Sequence, residues 1–160
     1  MKTKAFAAMA AVMTALSLAG CVQEPEAETA PSPDEAVITV DFSAVSEPVY
    51  RVDLEYFLKG DLMGGMACCH ADETPMTGKS RFALTPAEFP ENSSREDFTF
   101  YLVFSGDADG IKEQFSEAKL IAHSNESSAF TLEYGKTYAY SVSGSYENGF
   151  TLMPAATIIP

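Results

Sequence analysis

The chain has 160 residues, with ten Lys or Arg against 23 Asp or Glu and a formal net charge of −13. A field of that sign repels nucleic-acid phosphates and anionic lipid head groups and attracts cations and basic protein surfaces, which sets nucleic acid aside as a partner. The length suits one domain with a substantial core, and the chain has no tryptophan.

Residues 1–20 open with Lys2 and Lys4 and continue as an apolar or small-residue run from Ala5 to Gly20. Sixteen residues at ~1.5 Å each cover about 24 Å, short of the ~30 Å hydrocarbon core, so the run has the layout of a secretory signal rather than a span. Its end, Leu18-Ala19-Gly20-Cys21, resembles the lipobox of bacterial lipoproteins. The resemblance implies cleavage ahead of Cys21, a diacylglyceryl group on its thiol, and a location on the bacterial cell envelope, outside the cytoplasm. Several acyl chains, at ~0.8 kcal/mol per buried CH₂, would hold such a protein on a bilayer durably. Lys2 and Lys4 are the only charges in the first twenty residues, so residues 21–160 carry eight basic against 23 acidic side chains, a formal charge of −15. Residues 21–36 then read as an acidic, proline-rich tether with no core-forming capacity, extended at about 3.1 Å per residue.

From residue 37 the hydrophobic period becomes two, and residues 37–160 read as the folded domain. Ile38, Val40 and Phe42 share one face of a first strand, and Tyr50, Val52, Leu54, Tyr56 and Leu58 one face of a second, with Arg51, Asp53 and Glu55 opposite. Phe82 and Leu84 suggest a third strand. The run from Phe98 to Phe104 is apolar on both faces, as a central strand is. Further strands are predicted over 119–123, 129–134, 137–143 and 150–153, with Glu147-Asn148-Gly149 turning the last hairpin. Thr85-Pro86-Ala87-Glu88 has the make-up of a short capped helical turn, and Ile111 with Phe115 suggests a second helical stretch. The pattern predicts an all-β, antiparallel sandwich of about seven to eight strands.

The run from Leu132 to Val142 is similar to the corner before the sixth strand of fibronectin type III and other immunoglobulin-like sandwiches. That resemblance implies an immunoglobulin-like sandwich in which Leu132 closes a strand, Gly135 turns the corner, and the hydroxyl of Tyr138 or Tyr140 bonds back to upstream backbone. It implies no activity.

Chemistry is concentrated in residues 59–78, which read as a long loop without either hydrophobic period. Met63, Met66, Cys68, Cys69 and His70 offer soft ligands suited to Cu(I). Cys68 and Cys69 could alternatively close a strained vicinal disulfide, since a trans peptide holds their Cα atoms at ~3.8 Å. A third reading has the cysteines and methionines packing as soft hydrophobes. Ser105-Gly106-Asp107-Ala108-Asp109-Gly110 imitates a calcium loop but has Ser105 and Ser116 where acidic ligands belong, so it reads as a turn. His123 reads as a solvated or edge-strand histidine. No nucleophile elbow, zinc-protease helix or phosphate loop occurs, so the chain does not read as an enzyme and calls for no cofactor. The sequence therefore points to a tethered binding or interaction module for a protein, glycan or cation, and alternatively to a metal-handling or redox-responsive lipoprotein using the loop residues.

Overall fold

A computed structural model describes residues 30–108 and 120–155. The readings placed on Cys21, the signal segment, most of the tether and the stretch around Ile111 and Phe115 lie outside the described residues. Among the described residues eight strands are formed: β1 (Ala36–Asp41), β2 (Arg51–Leu58), β3 (Asp61–Cys69), β4 (Lys79–Leu84), β5 (Phe98–Ser105), β6 (Ile121–His123), β7 (Thr137–Ser145) and β8 (Gly149–Pro154). They make two four-stranded sheets, ordered β4-β1-β7-β8 and β3-β2-β5-β6, packed as a sandwich. All neighbours are antiparallel except β1 and β7, which run parallel from Val37 opposite Thr137 to Asp41 opposite Ser141.

The core follows from the period of two. Ala36, Ile38, Val40, Phe82, Leu84, Val142, Phe150 and Leu152 face inward from one sheet, and Val52, Leu54, Tyr56, Phe98, Phe100, Leu102 and Phe104 from the other. Aromatic edges lock the layers. Phe100 meets Tyr140 at 4.9 Å and 90°, and Phe104 meets Phe150 at 4.4 Å, each contact being worth about 0.5–1.5 kcal/mol beyond its buried area.

The turn and the tyrosine of the corner have the form the resemblance implied, with Tyr138 as its tyrosine, but Leu132 closes no strand. The Tyr138 hydroxyl donates to the Thr131 carbonyl (3.0 Å) and accepts from the Glu133 N–H (2.9 Å), while Leu132 is buried. Gly135 takes φ +76° and passes its N–H to the Glu35 carbonyl at 2.7 Å. Thr85-Pro86-Ala87-Glu88 forms the expected turn, a 3₁₀ helix over Pro86–Glu88 with the Thr85 N–H bonded to the Glu88 carboxylate at 2.7 Å. The last hairpin turns through Tyr146, Glu147 and Asn148 before Gly149 at φ +80°.

Two expectations are corrected. Residues 59–78 are not one loop: Lys59 and Gly60, both at positive φ, make a two-residue hairpin turn, and Asp61–Cys69 runs back along β2 as β3. The period is hidden because an inward position is Gly64, whose missing side chain leaves room for the Tyr56 ring; a Cβ there would lie 2.6 Å from the Tyr56 hydroxyl. A register shift opposite Tyr56 and Phe57 also leaves Met63 as an extra residue, which breaks the alternation. The second correction concerns residues 129–134, where only Phe130 pairs, in a bridge with Phe98. Serine hydroxyls take over the ladder there. The N–H groups of Leu102 and Phe100 donate to Ser124 Oγ (3.0 Å) and Ser127 Oγ (3.1 Å), so no continuous strand is needed.

Strand direction separates two ends. Ala36, Leu84, Thr137, Leu58 and Phe98 gather at the end where the chain enters β1, and Asp41, Lys79, Arg51, Cys69 and Ser105 at the other. Glu35 is fastened at the arrival end by Arg81 and Gly135.

Candidate functional site

The outer face of β3-β2-β5-β6 carries the most chemistry. Alternation turns Arg51, Asp53, Glu55 and Phe57 of β2 outward, with Tyr101, Val103 and Ser105 of β5 and His123 of β6 beside them. Arg51 Nε and Nη2 form a bidentate pair with Asp53 Oδ1 (2.7 Å) and Oδ2 (2.9 Å), and both residues are under 9% exposed although they point away from the core. Burial raises Asp53 to about 6, while the hydrogen bonds and charge of Arg51 oppose the rise.

Beside this pair runs a diagonal aromatic row. The Phe57 and Tyr101 rings lie 5.7 Å apart, as do those of Tyr101 and His123. The Tyr101 hydroxyl donates to the Glu55 carboxylate. Burial, then that bond to an ionised carboxylate, pushes Tyr101 up to about 12. Leu62, at the start of β3 and opposite Phe57, is 59% exposed and extends the row to the sheet edge. His123 is exposed on a short edge strand, as its sequence context suggests.

The soft-ligand residues do not converge. Met66 and Cys68 pair with Leu54 and Val52 and face the core, where Cys68 is buried; Met63 packs against the same core from its bulge. Cys69 leaves the strand on the opposite face, level with Arg51, and the two cysteines are thiols whose side chains the strand sends apart rather than into a vicinal bridge. His70 lies past the strand end with Nδ1 3.0 Å from Thr74 Oγ1. Among the described residues no three His, Cys, Asp or Glu side chains gather as a metal site. The three sulfurs on the inner side thus act as apolar filling. In the turn after β5, Asp107 accepts the Leu120 N–H at 2.9 Å, and the later positions of the calcium-like run lie outside the described residues.

A shallow depression of ≈ 370 Å³ lies at the end away from the start of β1, lined by Phe42, Val45, Glu47, Pro48 and Met76 among others. Its carboxylate, Glu47, already accepts the Tyr146 N–H at 2.9 Å, so few polar groups are left to fix a ligand there.

The aromatic row is what the sequence reading missed. Its signal was present in Phe57 interrupting the charged face of β2, and in Tyr101 and Val103 making β5 apolar on a face that turns out not to be covered by the other sheet. No protein-family model matches the chain, and no curated protein is similar to it.

Proposed function

We propose that this protein is a lipid-anchored, extracytoplasmic binding module of the bacterial cell envelope, held through Cys21 on its acidic tether and engaging a partner with the outer face of β3-β2-β5-β6. The observation that carries the binding half is the row Leu62, Phe57, Tyr101 and His123 on an outward face, beside Glu55 and the buried Arg51–Asp53 pair. Amphipathic rings with a fixed carboxylate beside them give contact area at low entropic cost, the usual make-up of a recognition patch. The tethering half rests on Leu18-Ala19-Gly20-Cys21 and the acidic stretch after it. Among the described residues no helix is long and apolar enough to cross a membrane.

Two measurements test the reading. Mass spectrometry of the membrane fraction is expected to find Cys21 as an acylated first residue, and Cys21→Ser to release the protein from membranes; an intact residue 1–20 segment on the native protein overturns the anchor. A photo-crosslinking residue at Leu62 is expected to capture a partner in intact cells, whereas one at Met153, 48% exposed on the other sheet, is not. Equal capture at both positions overturns the binding face.

A further inference from the structure

Four strand edges bound the two sheets, and three of them are protected. β4 turns Lys79 and Arg81 outward beside its edge. β8 has its outer side occupied by Asn125, which accepts the Leu152 N–H at 2.7 Å and donates to the Leu152 carbonyl at 3.2 Å, and it ends at Pro154. β6 is three residues long, and serine hydroxyls finish its side of β5. β3 is different: nine residues with no lysine, arginine or proline, and one charge, Asp61, at its start. Native sheets avoid edges of that kind unless something pairs with them.

The backbone direction can be worked out. Phe98, Phe100 and Leu102 of β5 use their N–H or C=O groups toward residues 124–130, away from β2. Alternation therefore points Val103 and Tyr101 at Asp53 and Glu55, and points Val52, Leu54 and Tyr56 at their β3 partners Cys68, Met66 and Gly64. Gly65 and Ala67 then direct their N–H and C=O groups off the sheet, with no strand beyond them among the described residues. Their side chains are the two smallest available, so a neighbouring strand can approach without steric obstruction.

Charge selects the occupant. Asp61 on β3, Glu55 one strand in, and Asp72 and Glu73 just past the strand end outnumber Lys59, and residues 21–160 carry −15 overall. A second copy of this chain would bring the same charge to the same edge and be repelled, whereas a basic segment would be drawn in. Resting on the reading of this domain as a binding module, we propose that β3 is its docking strand and that an extended, lysine- or arginine-bearing segment of a partner adds to it as a fifth strand, paired through Gly65 and Ala67.

The test uses the full chain in detergent and a labelled peptide of about ten alternating Lys and Val residues. Saturable binding is expected, together with slowed hydrogen exchange at the Gly65 and Ala67 amides. Affinity is expected to fall at least ~10-fold for Ala67→Pro, which removes an outward N–H without touching the β2 ladder, and by a similar factor when alternate peptide nitrogens are methylated. A Glu/Val peptide is expected not to bind. Unchanged affinity for the proline variant or the methylated peptide overturns the proposal, as does equal binding of the acidic peptide. Binding lost in Tyr101→Ala but kept in Ala67→Pro also overturns it while leaving the binding module standing. Sedimentation showing a dimer that Ala67→Pro dissolves, with no peptide bound, replaces the basic partner with a second copy.

Discussion

The two outer faces of this sandwich are built to different rules. On the face of β4-β1-β7-β8 the outward positions are mostly short or singly charged: Thr39, Asp41, Lys79, Thr137, Ala139, Ser141 and Thr151. On the face of β3-β2-β5-β6 the equivalent positions hold a buried ion pair, Val103 at 4% exposure, and three rings in contact. One face merely covers its sheet, while the other is organised across three strands, which is what separates a solvated surface from one shaped for contact.

The sharpest way to break that contrast is to remove one arginine from each face. Arg51→Ala leaves the Asp53 carboxylate buried without its bidentate partner and is expected to cost about 3–5 kcal/mol in denaturant unfolding. Arg81→Ala loses a pair with Glu35 in which the arginine side chain is 38% exposed, and is expected to cost under about 1 kcal/mol. Equal costs would mean the faces do not differ in this respect. Next in size, Tyr101→Ala removes contacts with Phe57 and His123 and the bond to Glu55, with an expected loss of about 1–2 kcal/mol. Ser141→Ala on the opposite face should stay within about 0.5 kcal/mol by the same assay.

The mildest test changes only pH, and the faces should answer with opposite signs. Asp41 is held below 3.8 by the hydroxyl and then the N–H of Ser43, so its contribution to stability is present above that value and lost as pH falls through its lowered folded value. Asp53 is raised by burial to about 6, so its contribution is complete below 3.8 and is lost as pH rises through about 6. Carboxyl-detected NMR should place the Asp53 midpoint well above that of Asp41; the reverse order would mean that Arg51 outweighs burial.

Much of the architecture could be read from the chain because β2 and β7 alternate against a single core, while β5, apolar on both faces, reads as a central strand. The corner was legible for another reason: Leu132, Gly135 and Tyr138 act locally, and a hydroxyl bond spanning five to seven residues leaves its mark in one short segment. What was hidden depends on partners distant in sequence. β3 looked patternless because Gly64 fills its inward position by making room for Tyr56, a residue of the preceding strand. The Met and Cys side chains looked like ligands for the same reason, since only the pairing of Met66 with Leu54 and Cys68 with Val52 sends them into the core. The row from Phe57 through Tyr101 to His123 joins three strands up to 66 positions apart in numbering, and nothing in any one of them announces the other two.

The parallel pairing of β1 with β7, while β4 flanks it on the other side, gives the first strand a mechanical role. A pull on the chain ahead of Ala36 runs along the strand axis, so the hydrogen bonds on both flanks share the load at once instead of opening one after another. A globule held against flow or against a bound partner by its leading end would therefore resist being peeled apart at the point where the force enters.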